Sequence, residues 1–597
     1  MDNSCSRLDG LTFYNAFSQG CKSIFRQTEN LNKINVFPVA DRDTGTNLSL
    51  TLKSMLESCT PTYALNKVLS ELADSGLTSA QGNSGIIFVQ YLAGLATELA
   101  NNETADTQTF SKAARKAVDY VYEALLSPVE GTVLTVMRSW ADELVDQSGM
   151  DGEFTLLLEK AKLKAVEALA NTPNQMQLLA KAGVPDAGAQ GFVNFLEGMS
   201  DFIASGFRFI EDNVFAENQE TLQTEANTIH SSTEFPQFRY CAEAVLTRSR
   251  LSISALREKY KTYGDSFILA GRPEKLHLHI HSNQPELLFA ELHKDAEVSG
   301  VKADDMLAQY NIVHNPKAAI GLMTDSAADL PVDLSDKYHI LSVPFGINFP
   351  QMQYLDKVTI QPGMFYKLLK SESKAPTSSL PTPKSLDTAM HFMATQYEQT
   401  ICLHISSGLS STYQVSRKLA EQHKGITVLD SRHLSVTQGL LLLRIARAIE
   451  QGMPLAELIH RFENWKNNTW IYTDIATLKY MVRSGRVSPL KGLFARLLNI
   501  KPIVSVDTEG KGMAWGKSFS RSSNLKKILQ IIKDKSADNQ VWEYAIVHSA
   551  AAQRASLYAE KLTGMLNKPP AYIMELSPVV GVHNGIGAVA VGISLED

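Results

Sequence analysis

From residue 8 to about residue 207, apolar side chains recur at intervals of three and four. Phe13, Phe17, Cys21 and Ile24 show the pattern, and Val118, Val121, Tyr122 and Leu125 repeat it. That spacing lines one face of a helix and scatters over both faces of a strand. Strand-like alternation is scarce in this stretch, so it is expected to fold as about eight packed helices. The texture then changes twice. Residues 238 to about 310 mix strand and helix signals. From residue 318 onward, short apolar strands alternate with amphipathic helices: Ala319-Ile-Gly-Leu-Met, Ile401-Cys-Leu-His-Ile, Ile426-Thr-Val-Leu and Ala545-Ile-Val-His. This is an α/β pattern. The 597 residues are too many for one core. The expected chain is multidomain: all-α over 1–210, a solvated linker over 211–236, a small α+β middle domain over 237–316, and α/β over 317–597.

Charge narrows the function. Net charge is −6, from 57 basic and 63 acidic residues, so there is no basic field to hold nucleic acid. The five cysteines, Cys5, Cys21, Cys59, Cys241 and Cys402, are scattered and odd in number. A reducing cytoplasm is expected rather than a disulfide scaffold. Neither a signal peptide nor an apolar run of membrane-spanning length is visible, which agrees with a cytoplasmic chain.

The most chemically loaded stretch is Asn35-Val-Phe-Pro-Val-Ala-Asp-Arg-Asp-Thr-Gly-Thr-Asn47. Asp41 and Asp43 lie two apart in a turn, where their charges repel unless a hard cation sits between them. Mg²⁺ prefers carboxylate oxygens and commonly keeps a phosphate as a further ligand. The small, hydroxyl-bearing residues after them enter a helix, and free backbone N–H groups there favour an anion. The plain alternative is a turn in which Asp43 or Thr44 only caps the helix. Three more small-residue turns lead into apolar helical runs: Ala80-Gln-Gly-Asn-Ser-Gly85, Pro128-Val-Glu-Gly-Thr132 and Ala182-Gly-Val-Pro-Asp-Ala-Gly-Ala-Gln-Gly191. One such turn is usually a cap. Four in one helical domain suggest helix starts converging on an anion.

In the middle stretch, Tyr240-Cys-Ala-Glu-Ala-Val-Leu and Lys275-Leu-His-Leu-His-Ile-His281 read as strands, and Ser254 to Tyr263 as a helix. His277, His279 and His281 alternate and so share a face. Two of these imidazoles with Cys241 from a neighbouring strand form a Zn²⁺ ligand set. The alternative, of equal weight, is half-exposed strand histidines. In the last stretch, serine-rich turns close several strands: Thr324-Asp-Ser-Ala-Ala-Asp-Leu-Pro331, Pro376-Thr-Ser-Ser-Leu-Pro381, Ser406-Ser-Gly-Leu-Ser-Ser-Thr-Tyr413, Arg483-Ser-Gly-Arg-Val487 and Val582-His-Asn-Gly-Ile-Gly587. Singly these are mostly caps. Together they offer hydroxyls, an imidazole and guanidinium groups with little acid, an inventory suited to a carboxylate or phosphate. Strand-end loops of an open sheet meet at a ligand crevice.

These motifs, in order, carry two resemblances. Over roughly residues 1–210 the chain resembles the ATP-binding domain of bacterial fatty-acid kinases, a relative of the nucleotide-binding subunit of dihydroxyacetone kinases. The resemblance implies a helical barrel holding Mg²⁺–ATP at its mouth. Asp41 and Asp43 match the metal carboxylates, with Asn35 a weaker match near a third ligand position. Thr44, Gly45, Thr46, Asn47, Asn83, Ser84, Gly85 and Thr132 fall on the nucleotide side. Arg42 stands where a Gly is usual and Gln81 where an Arg is. The middle stretch resembles the middle domain of the same kinases, with Cys241, His279 and His281 at matching positions. His277 is extra to the pattern.

Residues 318–597 resemble the DegV family of fatty-acid-binding proteins. The resemblance implies a buried acyl chain whose carboxyl group meets Thr377, Ser410 and His583, with Ser378 and Asp325 in the same loops. Arg486 and Arg521 would face the carboxylate or the phosphate that it receives. Joined on one chain, the modules imply a fatty-acid kinase in which fatty acid plus ATP gives acyl phosphate plus ADP. Tethering would set an effective concentration on the order of mM if the geometry allows. The implied partners are a long-chain fatty acid, ATP, an acyl-phosphate acceptor enzyme of phospholipid synthesis, and a second copy in a homodimer. Two alternatives stand beside this: an acyl-binding regulatory protein whose kinase module is degenerate, given Arg42 and Gln81, and a dihydroxyacetone-type kinase.

Overall fold

A computed structural model describes residues 5–36, 44–149, 152–207, 235–350, 352–484, 501–518, 520–537 and 539–597. Asp41, Asp43 and Arg486 lie outside the described residues, as do Arg42 and most of the 211–236 linker. The chain divides into two compact units, residues 1–283 with 291–310, and residues 284–290 with 311–597.

The first unit begins with eight long helices: Gly10–Arg26, Thr44–Ser58, Leu65–Ser79, Gly82–Glu98, Thr107–Ala124, Val133–Gln147, Phe154–Ala170 and Ala187–Ala204. The expected helical period is present, and its apolar positions form the core. Phe13, Phe17, Cys21 and Ile24 are buried on the first helix, and Val118 and Val121 on the fifth. Each such side chain contributes ~1.5–3 kcal/mol on leaving water. Phe17, Phe88, Phe192 and Phe195 meet edge to face or tilted at 5.0–6.4 Å, tying the first, fourth and last of these helices together.

The same unit holds a four-stranded antiparallel sheet in the order Glu297–Asp305, Tyr240–Thr247, Lys275–Ser282, Asp265–Arg272. The expected helix runs Ile253–Tyr260 and tightens into a 3₁₀ turn at Lys261–Tyr263.

The second unit is α/β. A parallel sheet runs Ile426–Asp430, Gln399–His404, Ile320–Asp325, Ile340–Val343. A six-stranded, mainly antiparallel sheet runs Gly512–Ser518, Lys501–Val506, Thr469–Asp474, Val589–Leu595, Val541–His548, Ile573–Glu575. Strands Thr377–Ser379, Gly346–Phe349 and Met352–Leu355 pair antiparallel. All five cysteines are buried and unpaired with one another. Among the described residues, no helix is long and apolar enough to cross a membrane.

Candidate functional site

In the helical region, the four glycine-bearing turns come together. Thr44 opens the helix Thr44–Ser58. The Thr46 N–H donates to Asn32 Oδ1 at 3.1 Å, and the Thr46 hydroxyl accepts from Asn32 Nδ2 at 2.9 Å. Gly45 packs on the preceding helix: a Cβ there would lie 2.2 Å from the Thr28 carbonyl oxygen. Asn47 stands against Gly82, whose Cβ would sit 2.5 Å from Asn47 Nδ2, and Gly82 has φ +62°. Asn83, Ser84 and Gly85 lie inside the first turn of Gly82–Glu98. At Gly188, a Cβ would lie 3.0 Å from Ser84 Oγ and 3.6 Å from Val133.

Thr132 is the N-cap of Val133–Gln147, accepting from the Leu134 N–H at 3.4 Å and donating to the Val129 carbonyl at 2.7 Å. Buried Asp186 joins two helix starts, because its Oδ1 accepts from Val133 N–H at 3.1 Å and Ala189 N–H at 2.8 Å. Burial pushes the Asp186 carboxyl up to about 6, against the pull of those two donors. The starts of Thr44–Ser58, Gly82–Glu98, Val133–Gln147 and Ala187–Ala204 therefore gather at one place. Helix starts carry unsatisfied N–H groups and positive partial charge. Asn35 is buried beside them, its N–H donating to the Asn32 carbonyl at 3.3 Å.

On the middle sheet, Cys241 pairs across from His281, and Glu243 from His279. Ligand atoms of Cys241, His279 and His281 all lie within 4.8 Å of one another. His279 Nδ1 is 3.8 Å from Cys241 Sγ and 3.2 Å from Glu243 Oε1, and His281 Nδ1 is 3.2 Å from Asp265 Oδ1. Burial opposes charge on His279, but the sulfur and the Glu243 carboxylate outweigh it and raise its pKa. His277 and His279 are only 3% and 2% exposed, which corrects the half-exposed alternative. The reason lies in the sheet face, which packs inward. Among the described residues, His279 Nε2 has no hydrogen-bond partner, and a thiolate with two imidazoles is a donor set that suits Zn²⁺.

The second unit encloses a cavity of about 990 Å³, near the upper end for small-molecule sites. Phe345, Ile405, Leu434, Ile471, Val504, Met513, Val579 and Val580 contribute apolar wall. Polar groups come from Ser378 and Ser379, the turn 407–411, and His583 with Asn584, as well as from Ser435, Thr473 and Ser505. Ser378 Oγ lies 3.2 Å from His583 Nε2, and Ser410 Oγ shares a hydrogen bond of 2.8 Å with Thr412. The 407–411 turn is held by Ser406, whose hydroxyl donates to the Gly510 carbonyl and accepts from the Gly408 N–H. His583 rides on the short helix Pro578–Asn584, whose Val579 N–H donates to buried Asp356.

Of the residues expected at the acyl head, Ser378, Ser410 and His583 line this cavity. Thr377 does not: it is exposed at the start of its short strand, and the lining begins with the next residue, Ser378, and continues through Ser379 and Leu380. Arg521 also stands off the lining and pairs with fully buried Asp474 at 3.0 Å. Asp474 additionally accepts from Arg554, Asn524 and the Tyr558 hydroxyl. Asp325, fully buried, accepts from His404, Gln438 and the Ile405 N–H, which fixes the strand ends below the 407–411 turn. Sequence reasoning missed the small-residue face of Gly512–Ser518. Gly512, Ala514 and Gly516 line the cavity at every second position, and the alternation of Gly, Ala and Gly was the available signal.

Known proteins match this chain in three segments. Residues 38–201 match the DAK2 domain, 237–313 the middle domain of fatty-acid-kinase-like proteins, and 319–596 the uncharacterised DegV family. A DegV domain-containing protein of Clostridium acetobutylicum is 29% identical over 277 residues, which is 46% of this chain and 97% of that protein. An uncharacterized Staphylococcus saprophyticus protein is 28% identical over 55% of this chain and 61% of its own length. Protein YloV of Bacillus subtilis is 28% identical over 52% and 58%. The chain thus spans about three fifths of the length of these last two relatives. Among solved structures, a Bacillus subtilis DegV described as a fatty acid binding protein covers 47% of this chain and 100% of its own, at 23% identity and TM-score 0.44. A Thermus thermophilus DegV family protein covers the same shares at 24% identity and TM-score 0.44.

Proposed function

Proceeding from a chain that carries a DAK2 domain, a fatty-acid-kinase-type middle domain and a DegV domain in one polypeptide, we propose that it is a fatty-acid kinase. It transfers the γ-phosphoryl group of ATP to the carboxylate of a bound long-chain acid, giving acyl phosphate and ADP. The observation that carries this is the cavity: apolar walls for an acyl tail, with hydroxyls and an imidazole at Ser378, Ser410 and His583 for its head. A triose such as dihydroxyacetone has no use for such walls.

The chemistry asks little of the protein beyond placement. A carboxylate is ionised at neutral pH, so attack needs no strong general base. Catalysis rests on in-line positioning and on neutralising phosphate charge. The gathered helix starts at Gly45, Ser84 and Thr132 supply N–H donors for phosphate oxygens. Ser378, Ser410 and His583 donate to the carboxylate and orient its attacking oxygen. Asp41 and Asp43 would hold Mg²⁺, which when bound neutralises phosphate charge. Cys241, His279 and His281 would hold Zn²⁺ in a structural role. Arg486 would offset charge near the transferred group, whereas Arg521 is committed to buried Asp474. The acyl phosphate passes to an acceptor enzyme of phospholipid synthesis, and the chain acts as a homodimer in the cytoplasm.

The test is ADP formation from ATP and oleate, with dihydroxyacetone as the competing acceptor. Asp41→Ala abolishes turnover while oleate stays bound; unchanged turnover refutes the metal role. The departures at Arg42 and Gln81 favour a second reading, an acyl-binding regulator without turnover. Calorimetry of ATP with and without Mg²⁺ separates the two.

A further inference from the structure

The strand Lys275–Ser282 carries three imidazoles on one sheet face. Two of them, His279 and His281, form the metal-ligating set with Cys241. The third, His277, lies outside that set. It is 3% exposed, and its Nδ1 sits 3.1 Å from the Leu77 carbonyl oxygen, to which the Nδ1–H donates. Leu77 belongs to the last turn of Leu65–Ser79, where carbonyls lack intrahelical partners. The same hairpin lays two cations along that helix, and Lys275 also donates to Thr78 Oγ1 in its last turn. Arg272 reaches Ser70 Oγ at 3.3 Å and the Asp74 carboxylate, and Lys275 Nζ donates to the Asp74 carbonyl at 3.1 Å. Positive groups at a helix C-terminus meet its negative partial charge.

That helix leads directly into the nucleotide turn. Ala80 is its C-cap, and Gln81 is the N-cap of Gly82–Glu98. The Gln81 N–H donates to Thr51 Oγ1 at 3.1 Å. Gly82 lies so close to Asn47 that no side chain fits between them. A small displacement of the Leu77 turn is therefore felt where the two helix starts touch. A single residue, Leu278, separates the metal ligand His279 from the group that caps this helix.

We propose that His277 is a positioning residue for the nucleotide turn, and that occupancy of the Cys241–His279–His281 set is transmitted to nucleotide binding through it. This rests on the kinase reading above and names a regulator of the same site. The coupling is reciprocal: nucleotide tightens zinc by the factor by which zinc tightens nucleotide.

The full chain is compared in three states: as purified, stripped with a chelator, and reloaded with zinc. Calorimetry with a non-hydrolysable ATP analogue and Mg²⁺ measures affinity, and elemental analysis measures zinc. Stripping the wild type weakens the analogue about tenfold, and reloading restores it. His277→Phe, which loses the donor and keeps all three ligands, retains zinc, shows the same loss when loaded, and loses nothing further when stripped. His277→Gln, which keeps an N–H donor, behaves as wild type. Equal affinity in stripped and loaded wild type overturns the proposal, as does His277→Phe that binds tightly and still responds to zinc. If His277→Phe fails to fold, the stripped-against-loaded comparison and His277→Gln decide. A chain that binds oleate but no nucleotide in any state overturns the kinase reading, and this proposal with it.

Discussion

Gly516→Leu tests whether the cavity measures the acyl chain. Gly516 lines the cavity, and among the described residues a Cβ placed there meets nothing nearer than Ile503 Cδ1 at 3.9 Å. The leucine side chain can therefore enter the cavity without moving the backbone. Its four carbons displace three to four methylenes of a long acyl tail. At ~0.8 kcal/mol per buried methylene, the loss is ~2.5–3 kcal/mol, or roughly a hundredfold in affinity. A shorter acid that never reaches position 516 loses nothing. Delipidated protein is titrated with saturated acids of increasing length in a fluorescence-displacement assay. The expected result is a break: affinity rises with chain length as in wild type, then stops rising. A uniform drop at every length, or an unchanged length series, refutes the placement of the tail in this cavity.

Ser378→Ala and His583→Ala weaken all chain lengths alike, each by roughly ten- to a hundredfold, because a hydrogen bond to a charged group contributes about 1.5–3 kcal/mol; the displacement assay reads this directly. Asp474→Ala leaves Arg521 and Arg554 without their buried partner, so the urea midpoint falls by the equivalent of about 3–5 kcal/mol. Asp186 has a native carboxyl pKa of about 6, above its unfolded value near 3.9. The native state therefore holds the extra proton between about pH 4 and 6, and stability falls as pH rises through that window. Asp186→Asn keeps the Oδ1 acceptor and removes the charge. Its stability gain, at most ~3 kcal/mol at pH 7.5, vanishes by about pH 4; a gain independent of pH contradicts this.

The helices were legible because their periodicity is local. Phe13, Phe17, Cys21 and Ile24 state their face within twelve residues, and all four are buried. Four strands of the second unit, Ile320–Asp325, Gln399–His404, Ile426–Asp430 and Val541–His548, were plain from apolar runs, whereas short ones such as Gly346–Phe349 and Met352–Leu355 were not. That the glycine turns meet was not readable, since Asn47 touches Gly82 and Gly188 approaches Ser84 only after the helices pack. Thr377 shows the limit of motif transfer: the cavity wall begins one residue later, at Ser378, and where a wall begins is set by tertiary packing rather than by the motif. Arg521 shows another. Its buried partner Asp474 lies 47 residues away, and nothing near Arg521 in the chain announces the pair. The burial of His277 and His279 follows from what packs on their sheet face, which alternation alone leaves open.

The most direct measurement is the product itself. The 597-residue chain, ATP, Mg²⁺ and oleate are incubated with hydroxylamine, which converts acyl phosphate to a hydroxamate for mass spectrometry. A fatty-acid kinase yields oleoyl hydroxamate in step with ADP, with both lost in Asp41→Ala. ADP without hydroxamate, or neither product from protein that binds both ligands, contradicts phosphorylation of the acid.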